Sequence, residues 1–240
     1  MQRLRNANLR LQPDKCELLR HEVAYLGHII GDKGVKPDPN KIKSIMEFPT
    51  PRTPKNIKQF LGLADYYRRF IPNFSKIAKP LTDLLKKNST FNWQLKQIEA
   101  FNILKRSLCS SPILQYPDFT KPFVLTTDAS GYAVGGVLTI SQGPIGKDLP
   151  IAYTSRVLNS AEQNYSTIEK ECLAIIYCIQ HFRPYLYGGT FIVTDHKSSI
   201  WLHSIKDPSS RLWKWRAKLP EYDYGIKYKK GITTLNNKQH

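Results

Sequence analysis

Two aspartates in this chain stand at the ends of short apolar runs that are typical of buried strands. Asp128 follows the run at residues 123–127, and Asp195 follows the run at 191–194. If these strands lie side by side and parallel, both carboxylates project from the same end of the sheet, where open sheets favour ligand sites. Taken singly, each aspartate is equally well explained as the cap of a turn or of a helix.

A third acid comes from the long helix that the sequence predicts over residues 160–182. Its apolar stripe has Glu169 on one flank and Glu171 on the other, so periodicity alone does not choose between them. Carboxylates in one place repel one another unless cations lie between them, and hard oxygen ligands favour Mg²⁺ or Mn²⁺ over zinc. Two such ions about 4 Å apart would activate water and stabilise the leaving oxygen of a phosphodiester. The carboxylates therefore predict a metal-dependent nuclease.

The elements that must position these acids form an α/β pattern in the second half of the chain. Short turns bearing Gly or Pro join the first strands, which indicates antiparallel pairing. Strands are predicted at 123–127, 133–140 and 151–154, then the 160–182 helix, a strand at 191–194, helices at 199–205 and 209–219, and a strand at 222–228. This order predicts a mixed five-stranded sheet with flanking helices.

The first half of the chain is predicted to be mainly helical. An apolar run at 23–30 indicates a strand or hairpin, and Thr53 before Pro54 is a favourable helix start. Helices are predicted at 41–48, from 54 onwards, at 75–87 and at 94–108. The first three would form a small bundle, and a link punctuated by prolines, ending near residue 122, separates the bundle from the sheet.

Charge indicates the class of partner. The 36 Lys and Arg against 19 Asp and Glu give a formal charge of +17, and residues 1–120 hold 21 of the basic and 10 of the acidic side chains. Such a surplus favours a polyanion such as nucleic acid, because each neutralised phosphate releases counterions. Basic side chains surround Tyr66 and Tyr67 in the second helix: Lys55, Lys58, Arg68 and Arg69. They predict a nucleic-acid contact, although solvated basic helix faces are common.

Cysteine usage and hydropathy bear on the compartment. The four cysteines lack Cys-x-x-Cys spacing, so the sequence indicates neither a zinc site nor a disulfide framework. No apolar run approaches the roughly 20 residues of a membrane helix, and the N-terminus lacks a signal-peptide pattern. We therefore expect a soluble intracellular protein without a membrane partner, in cytoplasm or nucleus.

Several longer motifs resemble one known family. The second half carries Thr-Asp-Ala-Ser at 127–130, Tyr-Ser-Thr-Ile-Glu-Lys-Glu-Cys-Leu-Ala at 165–174, His-Phe-Arg-Pro-Tyr-Leu-Tyr-Gly at 181–188 and Thr-Asp-His-Lys at 194–197. In this order they resemble the ribonuclease H domain of Ty3/gypsy-type retrotransposon Pol polyproteins. Tyr-Leu-Gly-His at 25–28 resembles the end of the reverse transcriptase palm, and residues 60–70 resemble its thumb.

The resemblance implies a domain plan. Residues 1–35 would be the end of the palm, 36–88 a helical thumb-like region, 89–121 a connection, 122–231 an RNase H-like domain and 232–240 a divergent tail. The whole would be a fragment of a multifunctional polyprotein, an RNA-directed DNA polymerase and ribonuclease H. The implied partners are an RNA·DNA hybrid and the rest of that polyprotein.

The resemblance also assigns site residues. It implies that Asp128, Glu171 and Asp195 are the catalytic ligands of two Mg²⁺ or Mn²⁺ ions, and it places Ser130 near the substrate backbone. His196 would have a structural role, because adjacent residues of a strand point to opposite sides.

Two departures from the family limit the expected activity. The chain has no Asp-Asp pair of the kind that polymerases of this family use, so we do not expect it to polymerise alone. No acid follows Asp223, where the family supplies a fourth carboxylate, so we expect a weaker second metal site and impaired hydrolysis. Two hypotheses follow: an RNase H-type nuclease, and a catalytically inactive nucleic-acid-binding remnant. A truncated or frame-shifted element copy would explain both departures.

Overall fold

The structure is a computed structural model that describes residues 2–12, 16, 19–87, 89–141, 148–194, 211–217 and 219–227. The first part of the chain contains α1 (Gln2–Asn6) and the antiparallel strands β1 (Glu22–Tyr25), β2 (His28–Gly31) and β3 (Gly34–Pro37). Strands β1 and β2 account for the predicted hairpin, to which β3 adds a third strand. Among the described residues, no helix has the length and apolar character needed to cross a membrane.

Residues 39–109 form what we call the helical unit. It contains α2 (Pro39–Met46), α3 (Pro54–Tyr66), a short 3₁₀ helix (Arg68–Phe70), α4 (Phe74–Asp83) and α5 (Leu95–Cys109). The predicted helices are confirmed with ends that differ by a few residues. Thr53 caps α3 as expected, since its hydroxyl accepts a hydrogen bond from the Asn56 backbone N–H at 3.2 Å.

Aromatic packing closes the core of the helical unit. The rings of Phe60 in α3 and Phe101 in α5 have their centroids 4.5 Å apart, and Phe60 is fully buried. Leu81 of α4 and Leu104 of α5 are also fully buried in this core. Burial of such side chains stabilises each by about 1.5–3 kcal/mol relative to exposure, which makes packing the main reason that these short helices form.

The second half of the chain folds into the predicted five-stranded mixed sheet. Its strands lie in the order β6-β5-β4-β7-β8. Strand β4 pairs antiparallel with β5 and parallel with β7. The strands are β4 (Phe123–Ala129), β5 (Ala133–Ile140), β6 (Leu149–Val157), β7 (Thr190–Thr194) and β8 (Asp223–Lys227).

The prediction of one long helix over 160–182 is wrong. The segment forms α6 (Ser160–Gln163) and α7 (Thr167–His181), followed by α8 (Arg183–Leu186). Each of the first two begins at its own capping box, Asn159 with Glu162 and Ser166 with Glu169. Because the cap residue has an extended backbone, the second cap ends the helical run, and a new helix begins after it.

The last helical predictions are covered only in part. The helix predicted at 199–205 lies outside the described residues. Within the one predicted at 209–219, the structure describes α9 (Arg211–Arg216).

Helix α7 covers one face of the sheet at van der Waals distance. It packs on β4 and β5, and its fully buried Cys178 lies over Gly136 of β5. A Cβ atom at Gly136 would stand 2.8 Å from the Cys178 sulfur, so a larger residue would push the helix away. Because Gly136 pairs with Thr127 of β4, Thr127 lies on the face that α7 covers.

The helical unit covers the outer edge of β6 through what we call the edge junction, formed by Arg68, Ser75 and Ser155. Asn73, at the start of α4, makes no capping hydrogen bond with its side chain. Instead the Ser155 hydroxyl of β6 accepts a hydrogen bond from the Ser75 N–H at 2.9 Å. The Ser75 hydroxyl and the Arg68 guanidinium both donate to the Ser155 carbonyl. The junction thus satisfies backbone groups that an edge strand would otherwise leave open.

The link between the two halves also makes sheet-like contacts. Leu114 exchanges two backbone hydrogen bonds with Val35 of β3, at 2.8 and 2.9 Å, and Gln115 N–H donates to the Pro150 carbonyl at 2.8 Å. Gly34 is required here, since its φ is +123° and a Cβ would lie 2.2 Å from the Leu114 carbonyl oxygen. The link therefore holds the small sheet, the helical unit and β6 together.

Candidate active site

Asp128 is the next-to-last residue of β4 and is exposed. It pairs with Gly135 of β5, which pairs in turn with Ser155 of β6. Paired residues share a face, and Thr127 lies on the α7 face, so Asp128 lies on the opposite face together with Ser155. The candidate carboxylate therefore stands at the end of the central strand, on the face to which the edge junction belongs.

The acids at the start of α7 have different surroundings. The Glu169 carboxylate accepts a hydrogen bond from the Ser166 N–H at 2.8 Å, and the Ser166 hydroxyl accepts from the Glu169 N–H at 3.3 Å. Glu169 is therefore part of the capping box that starts the helix. Glu171 lies within the first two turns, half-buried, beside the fully buried Cys172. Asp128 and Glu171 thus lie on packed neighbouring elements, with Asp128 on the side of β4 away from α7.

Asp195 and His196 lie outside the described residues. Strand β7 is described up to Thr194, which pairs with Thr126 of β4, and the two threonine hydroxyls lie 2.7 Å apart. The parallel pairing of these strands, on which the sequence argument depends, is therefore present. Within the described ranges, no group of three or more His, Cys, Asp or Glu side chains is arranged to hold a metal ion.

Ser130 belongs to the tight turn between β4 and β5. Its N–H and its hydroxyl both donate to the Ala133 carbonyl, at 2.8 and 3.1 Å, and the hydroxyl accepts from the Ala133 N–H at 3.1 Å. The hydroxyl is therefore part of the turn that follows Asp128, two residues from the candidate carboxylate.

The basic residues predicted to contact nucleic acid fall into two groups. Lys55 and Lys58 are exposed and lie three residues apart on α3, hence on neighbouring positions of its surface. Arg68 and Arg69 are half-buried. Arg68 belongs to the edge junction and lies 3.0 Å from the Asp65 carboxylate, and the Arg69 guanidinium lies over the Phe70 ring at 6.0 Å.

An aromatic cluster that the sequence did not predict fixes the β1–β2 turn against the helical unit. The Tyr67 hydroxyl donates to the Gly27 carbonyl at 2.7 Å, and the Tyr66 hydroxyl donates to the Leu26 carbonyl. The His28 ring stacks on Phe70, with ring centroids 5.7 Å apart. Burial, with help from Tyr66 and Asp38, raises the pKa of Tyr67 to about 12. The paired tyrosines were the only sequence signal for this contact.

Two further contacts tie the end of the sheet that carries Asp128 to its surroundings. Arg156 of β6 binds Glu162 through two hydrogen bonds of 2.6 and 2.8 Å, which hold the pKa of Glu162 below its ordinary value. Lys79 of α4 lies 5.5 Å from the ring centroid of Tyr132, in the turn after Asp128. No pattern in the sequence predicts either pair, because the partners come from different elements.

Comparison with known proteins defines the class of the sheet. Residues 93–193 match the family described as the RNase H-like domain found in reverse transcriptase. The match begins just before α5 and runs through β7, so it includes Asp128 and Glu171. The fold of the matched residues is thus that of an RNase H-like domain, and the match includes α5 of the helical unit.

Known relatives extend this likeness to nearly the whole chain. It is 49% identical over 231 residues to the retrovirus-related Pol polyprotein from transposon 297 of Drosophila melanogaster, covering 95% of this chain and 21% of that protein. It is 37% identical to the Pol polyprotein from transposon gypsy of the same organism, covering 94% of this chain and 23% of that protein.

A solved structure is also similar over nearly the whole chain. The foamy viral protease-reverse transcriptase in complex with an RNA/DNA hybrid superposes with a TM-score of 0.74, at 25% identity over 95% of this chain and 32% of that one. The chain belongs to the gypsy-type retrotransposon Pol polyprotein family, and it spans about a fifth of the length of the curated relatives it matches.

Proposed function

We propose that this chain is the RNase H-type nuclease portion of a retrotransposon Pol polyprotein and hydrolyses the RNA strand of RNA·DNA hybrids. The observation that carries the proposal is the position of Asp128: an exposed carboxylate at the end of the central strand of an RNase H-like sheet. Asp195 would join it from the end of β7, which runs parallel to β4.

The donor chemistry suits a hard divalent cation. The Asp128 carboxylate makes no hydrogen bond or ion pair with another described residue, and carboxylate oxygens are preferred ligands of Mg²⁺ and Mn²⁺. Glu171 is the acid that the family resemblance assigns to α7, and the Glu169 carboxylate belongs to the helix cap. When bound, two ions would supply an activated water and stabilise the leaving oxygen.

The helical unit would hold the hybrid. Lys55 and Lys58 present exposed cations on α3, Arg68 lies in the edge junction, and Ser130 lies two residues from Asp128; we propose that these four residues and Arg69 contact the hybrid. In the domain plan that we propose, 1–35 is the end of a palm, 36–88 a thumb-like region, 89–121 a connection, 122–231 the nuclease and 232–240 a divergent tail. The likeness to the foamy viral enzyme, which covers 95% of the chain, supports a common plan.

Cleavage of a labelled hybrid tests the proposal. The purified chain is incubated with an RNA·DNA hybrid labelled on the RNA strand and with Mg²⁺ or Mn²⁺, beside Asp128→Asn and Asp118→Asn. Asp118 is a suitable control because its carboxylate caps a local turn at Thr120. We expect cleavage by wild type and by Asp118→Asn only. Equal cleavage by Asp128→Asn, or none by wild type, would sink the proposal.

The formal charge of +17 favours nucleic-acid binding whether or not the chain cleaves, so the second candidate is a nucleic-acid-binding protein without nuclease activity. It predicts tight binding of the hybrid, with an affinity that falls as salt rises, and no cleavage with either ion. Binding measured by fluorescence anisotropy at several salt concentrations tests this candidate. An affinity that does not depend on salt would contradict it.

A further inference from the structure

Helix α4 is attached to the sheet at two points that lie on one face of the helix. Ser75 and Lys79 are four residues apart, which places them one above the other. Ser75 takes part in the edge junction with Ser155, and the Lys79 ammonium lies 5.5 Å from the centroid of the Tyr132 ring. This distance is within the roughly 6 Å at which a cation is attracted to an aromatic face.

The first attachment point shares a row of the sheet with the candidate acid. Ser155, Gly135 and Asp128 are paired in register across β6, β5 and β4. At about 4.7–4.9 Å between strands, Asp128 lies roughly 10 Å from Ser155. The row has no room for a side chain in its middle, since a Cβ at Gly135 would lie 2.6 Å from the Thr154 carbonyl oxygen. Helix α4 therefore docks on the row that ends in Asp128.

The second attachment point is in the turn after Asp128. The Tyr132 carbonyl accepts a hydrogen bond from the Leu158 N–H at 2.8 Å, so the backbone of Tyr132 is tied to the end of β6 while its ring meets Lys79. Lys79 is itself held by an ion pair with Asp83, which also pairs with Lys86 at 2.7 Å. A fixed cation is thus placed over the only aromatic ring in the turn at residues 130–132.

We propose that Lys79 and Tyr132 are positioning residues for Asp128. Their contact fixes the β4–β5 turn against α4, and through this turn it fixes the orientation of the Asp128 carboxylate. The inference rests on the proposed function in that Asp128 acts as a metal ligand. Orientation matters there because misplacement of a reacting group by about 1 Å can cost as much as a hundredfold in rate.

The test compares variants that remove the contact with variants that keep it. Tyr132→Leu and Lys79→Gln remove it, whereas Tyr132→Phe and Lys79→Arg keep an aromatic ring and a cation. Tyr187→Leu is the matched control, because Arg183 lies 4.4 Å from the Tyr187 ring centroid, just before β7 and so at the opposite end of the β4–β7 pair. For each full-length protein, kcat and KM on the hybrid, Mn²⁺ affinity, melting temperature and amide hydrogen exchange of residues 126–136 are measured.

We expect Tyr132→Leu and Lys79→Gln to lower kcat by roughly tenfold or more with KM within about twofold. Exchange of residues 126–136 should accelerate in these variants, while the melting temperature stays close to that of wild type. Tyr132→Phe and Lys79→Arg should keep kcat and the exchange rate of residues 126–136 near their wild-type values. Unchanged kcat and exchange in Tyr132→Leu, or an equal loss in Tyr187→Leu, would overturn the positioning role.

The two proposals fail in different ways. If wild type neither cleaves the hybrid nor binds Mn²⁺, the proposed function is overturned and the positioning role falls with it. If wild type cleaves and Tyr132→Leu cleaves equally well, only the positioning role is overturned. A loss of kcat that Tyr132→Phe does not restore would also contradict it, because the ring is then not what matters.

Discussion

The helical unit and the five-stranded sheet each bury a core of their own, but they present different chemistry. The candidate acid of the sheet stands at one backbone position, the end of β4, where strand pairing and a hydrogen-bonded turn fix it. Lys55 and Lys58 of the helical unit, by contrast, lie on the surface of a helix where solvent surrounds them. Charge acts over distances of about 10 Å, whereas metal ligation requires contact. We therefore expect the sheet to tolerate few substitutions at its site and the helical unit to tolerate many.

Asp128→Asn gives the largest effect expected of a single change. It removes one ligand charge while keeping the size of the side chain, and we expect cleavage to fall by about 10³-fold, which corresponds to roughly 4 kcal/mol. Hybrid affinity and the free energy of unfolding should change little, because Asp128 is exposed. Single-turnover cleavage and anisotropy measure the two quantities. If hybrid binding fell as much as cleavage, the result would contradict the assignment of chemistry to the sheet and of binding to the helical unit.

Glu171→Ala and Glu169→Ala separate the two acids of α7. We expect Glu171→Ala to lower cleavage by about 10²-fold, as the loss of a ligand, with a small effect on unfolding. Glu169→Ala should leave cleavage near the wild-type level but lower the free energy of unfolding by about 1 kcal/mol, because it opens the capping box with Ser166. Urea titration and the cleavage assay measure both. The reverse pattern would assign the catalytic acid to Glu169.

Ser155→Ala tests whether the two units unfold together. The change leaves the buried Ser75 N–H without an acceptor, which costs about 1–3 kcal/mol. We expect Ser155→Ala to unfold in a single transition at lower stability than wild type, as measured by both far-UV circular dichroism and tryptophan fluorescence. Ser110→Ala, which removes only a local bond to the Arg106 carbonyl on an exposed side chain, serves as control and should change stability little. Two separate transitions in wild type would contradict a continuous fold.

Replacing Lys55 and Lys58 together by Gln tests the helical unit as a binding surface. If each cation neutralises one phosphate, hybrid affinity should fall roughly fivefold to tenfold and the salt slope by about one to two, with kcat unchanged. A matched pair, Lys43→Gln with Lys96→Gln, changes the net charge equally on α2 and α5. An equal loss of affinity in both pairs would mean that net charge, rather than this face of α3, holds the hybrid.

Tyr67→Phe has the smallest expected effect: loss of the hydrogen bond to the Gly27 carbonyl costs about 0.5–1.5 kcal/mol at neutral pH, and a further effect appears only at alkaline pH. The folded pKa of about 12 lies above the ordinary value of 10.0, so folding favours the neutral phenol. The unfolded chain then loses this proton first, and stability contributed by Tyr67 is present below pH 10 and lost as the pH rises towards 12. We expect Tyr67→Phe to flatten this part of the stability curve, measured by urea unfolding between pH 9 and 12. An unchanged slope would contradict the burial of this phenol.

Much of the fold could be predicted because local patterns carried it. Thr53-Pro54 predicted the start of α3, and the apolar runs at 123–127 and 191–194 predicted two strands that pair in parallel. The long helix at 160–182 was predicted wrongly, because Ser166 with Glu169 forms a cap that interrupts an otherwise continuous apolar stripe. Apolar periodicity is read over many residues, whereas a capping box depends on only two, so a periodic pattern can hide the point at which one helix ends and another begins.

The sequence by itself determined the mixed five-stranded sheet; it also marked Asp128, Asp195 and one of Glu169 and Glu171 as candidate acids, with Glu171 chosen only by the family resemblance, and it predicted a polyanionic partner. These follow from residue type, order and net charge, which need no contact between distant residues. Only the tertiary structure decided that Ser155 of β6 caps α4, that Lys79 meets Tyr132, and that Asp128 lies on the face away from α7. Such contacts join residues about 50 to 80 positions apart, and they depend on how whole elements pack, which no local pattern encodes.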